Sequence, residues 1–131
     1  MRKNIEQFLS SSAFGVIGAS ANRAKFGNMV LRCYQQNSRV VYPVNPLLDK
    51  VEGLLCLKSI SELPSEVKSI SVITPPHITE QIVEQAHAQG INNIWMQPGA
   101  ESPLAIQKCL DYGINVIADG SCILVMLGFS H

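Results

Sequence analysis

Charge of either sign is scarce in this sequence and balanced where it occurs: among 131 residues, ten Lys and Arg offset ten Asp and Glu. Such a chain offers no broad basic face to neutralise many phosphates, which argues against duplex nucleic acid as the main partner, although a few local cations suffice for a small anion. Long apolar runs are missing as well. The longest, at 114–118 and 123–127, are far too short to span a bilayer, so no membrane partner is expected. The opening segment carries Glu6 and no sustained apolar stretch, which does not fit a secretory signal, and a cytoplasmic location follows as the expectation. No CxxC pair occurs. Cys33, Cys56, Cys109 and Cys122 fall in separate predicted elements, so neither a metal site nor a disulfide framework is expected and the four are read as reduced thiols.

What is present is apolar and regularly patterned. Hydrophobic residues make up 47% of the chain, enough for one core, and the length suits a single domain over 1–131. A helix-like opening ends at Ser10-Ser11-Ser12, and Ala13 to Gly18 then reads as a short buried strand stopped by glycine. Residues 28–36 place Met29, Val30, Cys33 and Tyr34 on one helical stripe. The β-branched stretches 39–43 and 69–74 both end at proline and both read as central strands. Between them, a short strand around Leu55-Cys56-Leu57 and one helical turn from Ser59 or Ser61 are expected. A helix over 78–89 closes at Gly90, a strand follows at 92–96, Ser102-Pro103 opens another helix that Gly113 ends, and 114–118 is the last strand. Strands alternating with helices predict a Rossmann-like, doubly wound α/β fold: a mainly parallel sheet of about five strands with helices on both faces. The apolar run 123–129 is expected to pack back onto the sheet, with a homodimer surface as the other outcome.

In such sheets ligands sit beyond the carboxyl ends of the strands, which directs attention to the loops after residues 18, 43, 74, 96 and 118. The first, Gly18-Ala19-Ser20-Ala21-Asn22-Arg23-Ala24-Lys25, joins strand to helix, where backbone N–H groups and the helix dipole favour an anion. Small residues permit close approach, Ser20 adds a donor, and Arg23 and Lys25 add charge for a diphosphate. The same residues also serve a plain solvated turn. The loop is neither GxGxxG nor a P-loop. At the end of the second strand the ribose-binding acid of dinucleotide sites is missing; Tyr42-Pro43-Val44-Asn45-Pro46 stands there, which demotes NAD. Val44 and Asn45 offer an apolar surface and polar atoms to an adenosine group, or, equally, Asn45 satisfies its own backbone. Thr74-Pro75-Pro76 walls the crevice, and Gln97 and Gly99 offer amide donors to a carbonyl or thiol. His77 lacks a partner nucleophile, Trp95 and Met96 read as core, and Cys122 follows the last strand with nothing to lower its pKa.

Taken in order, Gly18-Ala19-Ser20, Pro43-Val44-Asn45-Pro46, Thr74-Pro75-Pro76 and Trp95-Met96-Gln97-Pro98-Gly99 resemble the small stand-alone CoA-binding domain family over roughly residues 13–127, a family similar to the N-terminal CoA-binding domain of the succinyl-CoA synthetase α subunit. The resemblance implies coenzyme A as the cofactor. Gly18, Ala19, Ser20 and Ala21 would lie along the phosphates with Arg23 and Lys25 nearby, Val44, Asn45 and Pro46 beside the adenosine, and Thr74 and Pro75 along the pantetheine. Trp95, Met96 and Gln97 would approach its far end, with Gln97 and Gly99 as polar contacts. Two departures stand out. Synthetase-like domains carry a basic residue soon after the Asn-Pro turn, where this chain has Leu47 and Leu48, leaving Lys50 as the substitute for the adenosine 3′-phosphate. Ser121, where several relatives have Arg, precedes Cys122.

The phosphorylated histidine and nucleotide-binding partner domain of the synthetase reaction lie outside the matched portion. The expectation is therefore a CoA or acyl-CoA binding module, a sensor or carrier working with a protein partner, with no catalytic and no metal-binding residues of its own. The alternatives are a small acyl-CoA-handling enzyme using Cys122, His77 or Gln97, and an NAD- or nucleotide-responsive regulatory domain.

Overall fold

A computed structural model describes residues 2–131. The chain runs α1 (Arg2–Leu9), β1 (Ala13–Ile17), α2 (Phe26–Gln36), β2 (Val40–Val44), β3 (Lys50–Val51), β4 (Leu54–Leu55), a 3₁₀ turn (Ile60–Glu62), β5 (Ser69–Val72), α3 (Pro76–Gln89), β6 (Asn93–Met96), α4 (Pro103–Asp111), β7 (Asn115–Ile117) and a C-terminal π-helical turn (Leu124–Gly128). Five parallel strands form one sheet in the order β2-β1-β5-β6-β7, and β3 pairs with β4 in a small antiparallel hairpin. This is the doubly wound α/β architecture, with strand order reversing between β1 and β5.

Side-chain alternation along each strand divides the interior into two cores. Ala13 and Ile17 of β1, Ile70 and Val72 of β5, and Ile94 and Met96 of β6 face the aliphatic layer of α3 and α4, against Ile82, Val83, Ala86, Ala105 and Cys109. Phe14, Val16 and Trp95 face the opposite layer, where Phe8 of α1, Val30, Leu31 and Tyr34 of α2, and Ile123 meet them. The aromatics collect on this second face: Phe8 lies 5.2 Å from Trp95 edge-on, and Phe14 stacks on Tyr34 at 4.8 Å. Ser69 and Ser71 of β5 also point there, and both are satisfied, Ser71 by the Tyr34 hydroxyl at 2.7 Å and Ser69 by the Ser11 hydroxyl and the Phe8 carbonyl. Burial pushes the Tyr34 phenol far above its usual range.

Three sequence expectations are corrected. β2 is an edge strand, not a central one: the chain leaves it through the hairpin and returns on the far side of β1, and the missing donor of Pro43 suits an edge. On α2, Leu31 is buried and Met29 only half-buried, so the inward stripe is rotated from the expected one. The strand expected at 55–57 begins earlier, as β4, preceded by an unexpected β3. A two-residue turn joins them, with both Glu52 (φ 49°) and Gly53 (φ 80°) left-handed, the geometry of a tight hairpin. The helix ends follow the sequence signals. Gly90 ends α3 in the left-handed region at φ 83°, and the Ser102 hydroxyl accepts the Ala105 N–H at 2.9 Å to cap α4. Beyond β7, Ile123 is fully buried, Gly128 O accepts from the Asn37 side chain at 2.8 Å, and the segment packs back on α2.

Candidate functional site

The loop from β1 to α2 is shaped by two glycines. Gly18 adopts φ 91°, and a Cβ there would stand 2.2 Å from the Ile73 carbonyl oxygen at the end of β5. A Cβ on Gly27 would stand 2.1 Å from the Gly18 carbonyl, so the first turn of α2 rests directly on the loop. The Val44 carbonyl of β2 accepts the N–H groups of Gly18 and Ala19, at 3.1 and 3.3 Å. Among the described residues, the N–H groups of Ser20, Phe26 and Gly27 have no protein acceptor. Lys25 occupies the N-cap position of α2 without a side-chain cap. Open donors, a helix N-terminus and a neighbouring cation together make an anion cradle.

Beneath the loop runs a network that sequence reasoning missed. Fully buried Asn28 donates to the Ser20 carbonyl at 2.9 Å and to Glu52 Oε2 at 3.1 Å, and accepts from Arg32 Nε at 2.7 Å. Arg32 Nη2 also holds the Arg23 carbonyl at 2.8 Å. Arg23 itself, expected beside the phosphates, pairs with Glu52 Oε1 at 2.6 Å with 62% of its side chain exposed, so its charge is committed to the hairpin turn. The Asn28 hydrogen bond, followed by the Arg23 charge, holds the Glu52 carboxyl below its ordinary range. The only trace of this in the sequence is the Asn28/Arg32 spacing of one helical turn; Glu52 arrives through the unforeseen hairpin.

Asn45 serves the backbone, as its plainer reading held. Nδ2 donates to the Ala19 carbonyl at 2.8 Å and Oδ1 accepts the Leu47 N–H at 2.8 Å, which ties the end of β2 to the first loop. It also lines the crevice, together with Val44 and Pro46. Thr74 bonds Thr79 through their hydroxyls at 2.8 Å and, with Pro75, forms a wall at the end of β5.

Three cavities meet at Ile73. One of about 450 Å³ lies between the ends of β1 and β2, the 3₁₀ turn and α3; one of about 530 Å³ lies over Gly18, Ala19, Ser20 and Lys25; one of about 290 Å³ runs past Thr74 and Pro75 to Gln97 and Gly99. The three cavities share one electrostatic character: the charged residues lining them are Lys25 and Lys58, both positive.

 Ile73 alone lines all three cavities, Gly18 and Asn45 line the first two, and Thr74 and Pro75 line the first and third.

The far end of the crevice is built differently from the expectation. Trp95 and Met96 are fully buried, one in each core, and Trp95 Nε1 donates to the Ser121 carbonyl at 2.9 Å, so neither side chain faces the crevice. Gln97, expected as the polar contact for the end of a ligand, is only 2% exposed. Its Oε1 accepts the Ile123 N–H at 2.9 Å and its Nε2 donates to Cys122 Sγ at 3.3 Å. The Gly99 N–H is taken by Glu101 Oε1 at 2.9 Å. The four thiols are free; burial pushes Cys33 up to about 11 and Cys109 up to about 12. His77 is exposed at the start of α3 and, among the described residues, makes no side-chain hydrogen bond to a nucleophile.

Residues 12–128 match the family model described as a CoA binding domain. The chain is 30% identical over 135 residues to the α subunit of an ADP-forming acetate-CoA ligase II from Pyrococcus furiosus, an alignment that covers 93% of this chain and 29% of that one. It spans between 11% and 29% of the length of the acetate-CoA ligases it matches. Among solved structures, a conserved hypothetical protein from Pyrococcus furiosus superposes with a TM-score of 0.83 at 37% identity, covering 87% of this chain and 97% of that one. The dinucleotide-forming acetyl-coenzyme A synthetase 1 of Ca. Korarchaeum cryptofilum, in complex with phosphate and ADP, gives a TM-score of 0.76 at 25% identity, covering 89% and 28%. The family model covers nearly the whole chain, which belongs to the CoA binding domain family.

Proposed function

We propose that this chain binds coenzyme A or an acyl-CoA in the crevice at the carboxyl edge of the sheet, and that it acts as a binding module serving a partner. The observation that carries the reading is the joined set of cavities around Ile73, whose charged lining residues are two lysines. An extended anion with an apolar arm suits that lining: the diphosphate at the open amides of Ser20, Phe26 and Gly27 beside Lys25, the adenosine in the cavity beside Asn45 and Pro46, and the pantetheine past Thr74 and Pro75. The relatives named as acetate-CoA ligases support the ligand, and we carry over the ligand and not the reaction, because the match spans a minor part of their length.

Titration with CoA, acetyl-CoA, NAD and ATP, followed by thermal unfolding, tests this. Ligand at a hundredfold excess over Kd adds about 2.7 kcal/mol of stability, a shift of several degrees in Tm. CoA and acetyl-CoA should each produce it. Stabilisation by NAD or ATP alone would overturn the ligand, and turnover of acetyl-CoA by the isolated chain would overturn the module.

A further inference from the structure

The adenosine cavity contains a cation that stands far from the Asn-Pro turn in sequence. Lys58 is the one charged residue lining the cavity of about 450 Å³, whose other walls include Ile60, Ile78 and Ile82. It reaches that place because the chain after the hairpin runs alongside β2: the Leu57 N–H donates to the Pro43 carbonyl and the Asn45 N–H to the Leu57 carbonyl, each at 2.9 Å, with a parallel bridge between Val44 and Leu57. The ammonium is then aimed by two acceptors, the Leu48 carbonyl at 2.6 Å and Asp49 Oδ1 at 2.8 Å, which leaves one of its three N–H groups free. Its side chain is 44% exposed and that of Asp49 94%, so the aspartate can swing into water when a stronger anion arrives. The other nearby carboxylate, Glu62, is turned to the Lys58 backbone N–H at 3.2 Å.

We infer that Lys58 is the specificity-determining cation for the 3′-phosphate of the bound CoA, an inference that rests on the CoA reading above. In a doubly wound sheet a nucleotide whose diphosphate lies on the loop after the first strand places its ribose over the end of the second, where a cation distinguishes a ribose phosphate from a ribose hydroxyl. Lys58 occupies that position beside Asn45 and Pro46. Lys50, the substitute suggested by sequence order, lies on β3 opposite Leu55 and lines none of the three cavities. Lys25 lines the neighbouring cavity over the first loop, so the two lysines divide the ligand's phosphates between them.

Calorimetric titration with CoA and with 3′-dephospho-CoA tests the assignment. The wild-type protein should prefer CoA by about tenfold, the gain expected of one charge-assisted contact. Lys58→Met should remove that preference by weakening CoA about tenfold while leaving dephospho-CoA within about twofold, and Lys58→Arg should restore most of it. Asp49→Asn, which removes the competing carboxylate, should strengthen CoA by about twofold or more and leave dephospho-CoA unmoved; it keeps the test open if Lys58→Met folds poorly. Equal loss of both ligands in Lys58→Met, or loss of the preference in Lys50→Met instead, would overturn the assignment. A wild-type protein that binds both ligands equally overturns it and leaves the CoA reading standing; one that binds neither overturns both.

Discussion

Around the loop after β1 the chain leaves donors open, whereas around the loop after β6 it consumes them. On the first side, the amides of Ser20, Phe26 and Gly27 lack protein acceptors while Asn28, Arg32 and Glu52 hold the loop from below. On the second, the Gln97 amide is spent on Ile123 and Cys122, and the Gly99 N–H on Glu101. One end of the crevice therefore keeps its donors free, and the other spends them within the protein. On the proposed reading, the free donors are preorganised for the nucleotide part of a CoA, which would favour affinity there over the acyl part.

The largest expected effect comes from removing the close approach that shapes the open end. Gly27→Ala sets a methyl 2.1 Å from the Gly18 carbonyl, and because the obstacle is backbone the loop itself must move. Stability should fall by about 1–3 kcal/mol, and calorimetry should find no CoA binding at concentrations that saturate the wild-type protein. Next is the closed end. Gln97→Ala strips the acceptor from the buried Ile123 N–H, a loss of about 1–3 kcal/mol read by denaturant unfolding. Affinity for adenosine 3′,5′-bisphosphate should stay within about twofold, since that ligand occupies only the open end; a larger loss would show the two ends to be coupled.

The smallest effect separates a loop support from a ligand contact. Arg23 pairs with Glu52 in an exposed setting, where such pairs contribute roughly 0–1 kcal/mol. Arg23→Ala should lower CoA affinity by less than about threefold in the same titration, whereas a direct diphosphate contact would cost about tenfold or more.

The β-α alternation was legible because short apolar runs alternate with helical stripes, with clear stops and starts at positions such as Gly18, Gly90 and Ser102. Strand order was not: nothing local in 39–43 distinguishes an edge from a centre. The β3–β4 hairpin escaped because two-residue strands have no periodicity to read, and with it went Glu52 and the pairing of Arg23. In the site, the first loop was placed correctly as an approach to the end of the strands. The burial of the Gln97 amide was not legible, because its partners lie 25 and 26 residues later, on a segment whose return to the sheet no local pattern encodes. Lys58 was missed for a related reason, since it reaches the cavity only through the pairing of Leu57 with β2.

The most direct test of the central claim is thermal unfolding of the wild-type protein and Ser20→Trp, each titrated with CoA. Ser20 is a half-buried loop position that lines the cavity at the start of α2, so the indole should block the cradle, and the variant's own unliganded Tm is the baseline against which CoA stabilisation is read. CoA-dependent stabilisation of the wild-type protein that disappears in the variant is the predicted result. Stabilisation that persists in Ser20→Trp, or that is absent from the wild-type protein, would contradict it.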